Sequence, residues 1–341
     1  MTAADPSPSG HALALARRGE VAGAMELLSE AIAAGDAMAA ATLADWRVGG
    51  DLVRRDLAEA RVLYGKAADL GLSEAEPVHI ALLANGAGGS GRRWAEALAR
   101  LGRRAGSDPL AARQRDLVAA MAIDAQGDPL EPSPREVISE EPRIAVIRGF
   151  LSAAECRYLA EQALPALQPA IVVHPQTGRA MLDPVRTALS TGFPFVLEDP
   201  VIHAINRRIM AATGTSYEQG EPIQVLSYEP GQEYKLHSDC LPPPPPGQRL
   251  NQRIQTFLVT LDDRFEGGET SFPRIALNLR CAAGDAVHFV NIDQVGQPEQ
   301  LAWHALFSVA GDLLAAHPVV WRGYEQEDPW EDWLSREVVT H

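Results

Sequence analysis

Cysteine is scarce in this 341-residue chain: Cys156, Cys240 and Cys281 are the only three, and nothing in their spacing suggests a paired framework. That excludes a disulfide-stapled secreted scaffold and fits a reducing cytoplasm. Long apolar runs are missing too. No stretch reaches the roughly 18 uninterrupted apolar residues of a membrane span. The start, MTAADPSPSGHALALARRGE, lacks the basic beginning and apolar run of a signal peptide, so no membrane partner is expected. Positive charge is short in one region only. Residues 1–120 carry 14 Lys and Arg against 15 Asp and Glu, while the remainder carries 16 against 30 and so most of the net charge of -15. Such a field repels phosphate backbones, which excludes nucleic acid as a partner and suits neutral or basic peptides and small molecules.

What the chain does contain divides near residue 130. Residues 10–122 are rich in Ala, Leu and Arg and read as helices with an internal period of 36. Aligning AMELLSEAIAAGD (24–36) on ARVLYGKAADLGL (60–72) sets Ala24, Ala31 and Gly35 on Ala60, Ala67 and Gly71. The same shift sets Gly50 on Gly86, and Ala97 follows Ala60 by 37. Small residues at fixed places suit a helix-turn-helix unit packed closely at Ala and ended by Gly. The pattern resembles Sel1-like repeats, relatives of the tetratricopeptide family; a plain Ala-rich bundle is the alternative. Residues 123–142 hold four prolines and six acidic residues, a linker composition.

From 143 to 341 the texture changes to short β-branched and apolar runs. These are RIAVI (143–147), AIVVH (170–174), IQVLSYE (223–229), IQTFLVTL (254–261), DAVHFVN (285–291) and HPVVW (317–321). Helices are expected among them over 152–164 and 199–213, N-capped by Ser152 and Asp199. The expected architecture is therefore multidomain: N-terminal α-helical repeats, then a double-stranded β-helix (jelly-roll) domain with flanking helices. WEDWLSREVV (330–339) adds a C-terminal helix candidate.

Within EYKLHSDC (233–240), His237 and Asp239 stand two apart. On a strand, alternate residues share a face, so an imidazole and a carboxylate can be presented together. Two histidines and one carboxylate form the facial cage of non-haem iron(II), with positions left open for cosubstrate and oxygen. A His-x-Asp pair alone is a short pattern that arises by chance. The third ligand has to come from elsewhere.

The order of the surrounding motifs is more specific. IQVLSYEPGQEYKLHSDC, FEGGETSFP (265–273), AAGDAVHFVN (282–291) and WHALFSV (303–309) follow VIRGFLSAAECRYL (146–159) and VRTALS (185–190). Together they resemble the prolyl 4-hydroxylase-like iron(II)- and 2-oxoglutarate-dependent oxygenases, over about residues 143–323. The resemblance implies Fe(II) held by His237, Asp239 and His304, with 2-oxoglutarate and O2 as cosubstrates and ascorbate as a candidate reductant. It implies oxidative decarboxylation of 2-oxoglutarate coupled to hydroxylation of an unactivated C–H bond, in a prolyl or other residue of a peptide or protein. Tyr228 matches a family tyrosine near the cosubstrate; Tyr234 matches another, with a core role as the alternative. The other histidines lack a partner at metal spacing, and His288 reads as a packed strand residue.

One departure matters. The family carries a lysine or arginine nine or ten residues after the last histidine ligand, to anchor the distal carboxylate of 2-oxoglutarate. Here Leu313 and Leu314 stand at that spacing. Arg253, His317 and Arg322 are the candidate replacements. Otherwise the pocket takes a different cosubstrate, or the chain is a non-catalytic adaptor that binds partners through its repeats. CLPPPPPGQRLNQR (240–253) follows the first two ligands directly; its proline run forms a stiff rod, read as a lid or an exposed connector.

Overall fold

Aspartate and serine open four of the helices described in the first half. Ser7, Asp36, Asp56 and Asp108 each accept a first-turn backbone N–H, and Gly50 and Gly86 end two helices in the left-handed conformation. The computed structural model describes residues 7–88, 91–169, 171–173, 180–182, 187–241, 252–264, 266–306, 309–310 and 318–324. The C-terminal helix candidate and the proline run Pro242–Pro246 lie outside the described residues. Helices run over Pro8–Arg17, Val21–Ala33, Ala37–Gly49, Leu57–Asp69, Ala75–Asn85, Trp94–Arg104 and Pro109–Ala120, each packed on the next. The helix starts Val21, Leu57 and Trp94 reproduce the 36-residue period, the last step being 37. Ala24, Ala60 and Ala97 are fully buried, as close helix packing at the repeated small residue requires. No helix among the described residues is long and apolar enough to cross a membrane.

The chain forms two compact units. Among the described residues, the first takes in those up to Leu130 together with Pro194–Ile205; the second takes in Glu131–Phe193 and those from Asn206 to Tyr324. Within the first unit, Asn85 Nδ2 donates to the Phe195 carbonyl (2.7 Å), and the Trp94 ring lies 6.0 Å from that of His203. His203 is itself paired to Glu198. Residues 194–205 thus belong with the helices rather than with the strands that flank them in sequence.

The second unit is built on antiparallel strands. Eight form one sheet, in the order Glu136–Glu140, Arg143–Ile147, Ala286–Val290, Arg253–Thr260, Pro318–Tyr324, Gln224–Ser227, Leu189–Gly192, Gln168–Pro169. Four form another, in the order Leu277–Leu279, Thr270–Phe272, His304–Leu306, Tyr234–His237. Ile144, Val146, Val287, Phe289 and Leu258 of the first pack against Phe272, Leu277 and Leu279 of the second. Glu136–Glu140 is an edge strand within the proline-rich, acidic stretch 123–142, an element that composition does not announce. Helices Ala153–Ala163 and Pro200–Thr213 stand where Ser152 and Asp199 predict them, and Ser152 completes a capping box with Glu155.

The AGDA turn shows why Gly284 is a glycine. Its φ is +91°, and a Cβ there would lie 2.2 Å from the Leu151 carbonyl oxygen. Beside it, Asp285 accepts from Gly149 N, Arg148 and Ala282 N. These bonds hold its carboxyl below the usual range against the upward push of burial.

His288 lies on the strand face opposite the site, 5% exposed, and donates from Nε2 to Gln255 Oε1. Burial, then the nearby Arg135 and Arg143, push its pKa down to about 4. The unfolded chain binds this proton as pH falls through 6.5, and the folded chain refuses it until about 4. Stability is therefore expected to fall by about 3 kcal/mol over that window and to level off below it. Urea unfolding from pH 7 to 4 should show that loss in the wild type and a smaller one in His288→Gln. Equal losses in both would remove His288 as the cause.

Candidate metal centre

Two paired strands bring the site together. Tyr234–His237 and His304–Leu306 pair antiparallel with His237 opposite His304, so the two imidazoles are neighbours across the ladder, ring centroids 4.2 Å apart. Asp239 follows the first strand directly and is 4% exposed. Its Oδ1 lies 3.8 Å from His237 Nε2 and its Oδ2 3.8 Å from His304 Nε2. One nitrogen or oxygen from each of His237, Asp239 and His304 falls within 4.8 Å of the others.

The ring orientations suit ligation. His237 Nδ1–H donates to the Lys235 carbonyl (2.8 Å) and His304 Nδ1–H to the Ala302 carbonyl (3.1 Å). Each bond selects the tautomer with Nε2 as the lone-pair nitrogen, and both Nε2 atoms face the carboxylate. The donor set of two neutral imidazoles and one carboxylate fits a non-haem iron(II) ion.

The strand carrying His237 is bulged. Tyr234 pairs with Leu306 while His237 pairs with His304, so three steps on one strand oppose two on the other. The extra residue sets Tyr234 on the same face as His237, their rings stacked with centroids 3.4 Å apart at 12°. Regular alternation would have put the two on opposite faces. Phe272 and Phe289 flank His304 at 5.7 and 4.7 Å.

Beside the triad lies a small cavity, partly open to solvent. Leu226, Tyr228, Leu258, Thr270 and Leu306 line it, with Tyr228 only 1% exposed. Tyr228 is thus placed at the site with the three ligands. Arg253 is not among the described lining residues; its guanidinium is ion-paired to Glu221. Arg322 lies on the Pro318–Tyr324 strand opposite Thr256. His317 lies outside the described residues, as do Leu313 and Leu314. Gly267 and Gly268 of the EGGET stretch both have positive φ, and Gly267 pairs with Val309.

Two participants escape a reading of the sequence. Thr256 Oγ1 donates to Asp239 Oδ2 (2.6 Å), and Asn291 Nδ2 donates to Thr256 Oγ1 (2.9 Å). Both sit in ordinary strand patterns, and only the register brings them to the carboxylate. Cys240 is fastened through Sγ to the Asn291 carbonyl, and burial first of all pushes its thiol up.

No family model matches the chain. Prolyl 4-hydroxylase 1 of Arabidopsis thaliana is 38% identical over 183 residues, covering 50% of this chain and 65% of that protein. About half of this chain is homologous to prolyl 4-hydroxylases. The probable prolyl 4-hydroxylase 10 of the same plant is 42% identical over 138 residues, 40% of this chain and 47% of the relative. Prolyl 4-hydroxylase subunit alpha-1 of Rattus norvegicus is 31% identical over 180 residues, 52% of this chain and 34% of the relative. The chain thus spans between a third and two thirds of these prolyl 4-hydroxylases. Among solved structures, the viral collagen prolyl hydroxylase of Paramecium Bursaria Chlorella virus-1, in its 2OG complex, has a TM-score of 0.40 at 25% identity. It covers 53% of this chain and 94% of its own. A prolyl 4-hydroxylase of Pseudomonas putida has a TM-score of 0.37 at 16% identity, over 54% of this chain and 92% of its own.

Proposed function

We propose that this chain is an iron(II)- and 2-oxoglutarate-dependent dioxygenase that hydroxylates an unactivated C–H bond, with a prolyl residue of a peptide or protein as the preferred target. The convergence of His237, Asp239 and His304 beside a cavity carries the reading. The homology to prolyl 4-hydroxylases over half of the chain supports it. His237 and His304 Nε2 and the Asp239 carboxylate would hold the metal. Iron(II), 2-oxoglutarate and O2 together would supply the oxidant, through oxidative decarboxylation to succinate and carbon dioxide, and ascorbate is the reductant we assign. Tyr228, buried in the lining, is the hydroxyl we assign to the cosubstrate. Leu226, Leu258 and Leu306 keep the cavity wall apolar, which limits water beside the metal.

The two facing sheets support a jelly roll in the domain expected over 143–341, although strand Glu136–Glu140 of the expected linker joins its larger sheet and Pro194–Ile205 groups with the helices. The 36-residue helical period supports Sel1-like repeats over 10–122, joined by 123–142. Stacked helix pairs build concave peptide-binding surfaces, which agrees with a protein substrate. The three cysteines are unpaired, in keeping with a cytoplasmic setting.

A second reading has one observation in its favour: no Lys or Arg is among the described residues lining the cavity. A chain with an altered cosubstrate, or an adaptor that binds without turnover, would share that feature. Succinate release from 2-oxoglutarate with iron(II), aerobically and anaerobically, decides between them. We expect oxygen-dependent succinate and the gain of one oxygen atom in proline-containing peptides. Absence of both succinate and 2-oxoglutarate binding would leave the adaptor standing.

A further inference from the structure

Asn291 stands at the crossing of both arms of the triad. Its backbone N–H donates to the Ile254 carbonyl (2.8 Å). Its carbonyl accepts from Glu299 N (2.8 Å) and from Cys240 Sγ (3.2 Å). Cys240 is the residue after Asp239. Glu299 caps the short helical turn Gln300–Ala302, and the Ala302 carbonyl orients the His304 ring. The side chain of Asn291 meanwhile donates to Thr256 Oγ1, which donates to Asp239 Oδ2. Asn291, Thr256 and Asp239 are 2%, 0% and 4% exposed, so water has little access to this chain of bonds.

A threonine hydroxyl has one proton to give and two lone pairs to offer. Because the Asn291 amide N–H occupies a lone pair, the hydroxyl proton is free to point only at another acceptor, and Asp239 Oδ2 is at 2.6 Å. A hydrogen bond to a carboxylate is stronger than one between neutral groups. Burial removes the water that would otherwise compete for it.

We propose that Asn291 and Thr256 are positioning residues of the metal centre, a buried relay that fixes the Asp239 carboxylate in its metal-binding rotamer, while the Asn291 backbone ties in the segment that carries His304. This rests on the reading that the triad holds a divalent metal. Asn291 acts through Thr256: it dictates which way the hydroxyl points, and the hydroxyl dictates how the carboxylate stands. The consequence is coupling. Once Thr256 has lost its hydroxyl, the Asn291 amide has nothing left to orient.

The test is Co(II) titration of the full chain, followed by visible absorption, with melting of each metal-free protein as a check on folding. Wild type, Thr256→Val, Thr256→Ser, Asn291→Ala and the Thr256→Val/Asn291→Ala double variant are compared. Thr256→Val removes the hydroxyl while keeping the side-chain volume, so it is the decisive single variant. Groups that hold metal ligands typically contribute 10- to 100-fold to affinity. Thr256→Val is expected to weaken Co(II) binding by about that factor, Thr256→Ser to restore it, and the double variant to bind as weakly as Thr256→Val alone. Thr256→Val binding Co(II) as tightly as the wild type overturns the relay. So do losses that multiply in the double variant, since independent packing defects would add in free energy. Saturable binding by the wild type that is lost in His304→Ala upholds the underlying triad whichever way the relay falls. A wild type that binds no Co(II) overturns the triad, and the relay with it.

Discussion

Asp239→Ala is expected to weaken divalent-metal binding at least a hundredfold and to bring succinate formation below detection. Asp239 is the anionic member of the three, and its two oxygens each lie 3.8 Å from a histidine Nε2. Without it, two neutral imidazoles remain to neutralise a dication in a largely buried site, and the charge that favours the metal over water is gone. The Thr256 hydroxyl loses its acceptor as well. Asp239→Asn separates these effects, because an amide keeps the volume and the hydrogen bond from Thr256 but not the charge. It should lose metal nearly as badly as Asp239→Ala. The metal-free Asn variant should melt no lower than the metal-free wild type, since a buried carboxylate is costly until a cation arrives. Isothermal titration and calorimetric melting on the same samples check both halves. Tight metal binding by Asp239→Asn would show that charge is not what the site needs.

Much of this was legible in the sequence, for physical reasons. RIAVI is a strand over Arg143–Ile147, as expected, because consecutive β-branched and apolar residues suit a buried strand. The helical period was visible because close packing admits only small residues at Ala24, Ala60 and Ala97. His237 and Asp239 announced themselves by type and spacing. The stacking of Tyr234 on His237 did not, since it depends on a bulge set by pairing with His304–Leu306. Thr256 and Asn291 were hidden for a related reason. A threonine in one strand and an asparagine just past the end of another are unremarkable until register carries them to a carboxylate. The membership of Pro194–Ile205 in the helical unit was hidden too, because contacts such as Asn85 with Phe195 join residues 110 apart.

Arg322→Leu is expected to raise the KM for 2-oxoglutarate by about a hundredfold or more, leaving Co(II) affinity unchanged. The cosubstrate we assign carries a second carboxylate, which in a cavity walled by Leu226, Leu258 and Leu306 needs a cation. Leu313 and Leu314 cannot provide one, and Arg253 is engaged with Glu221. Register favours Arg322. It is opposite Thr256, and Val320 two residues earlier is opposite Leu258. Its strand is thus hydrogen-bonded to the one that carries Thr256, which bonds Asp239, and Leu258, which lines the cavity. Truncating one partner of a buried, hydrogen-bonded charge pair costs about 2–5 kcal/mol, which is where the hundredfold comes from. Arg253→Leu should change KM less than threefold, because the charge it removes belongs to the Glu221 pair. Steady-state kinetics with 2-oxoglutarate varied, alongside Co(II) titration of both variants, measures the contrast. If Arg253→Leu raises KM and Arg322→Leu does not, the anchor is Arg253, and its bond to Glu221 must open when the cosubstrate binds.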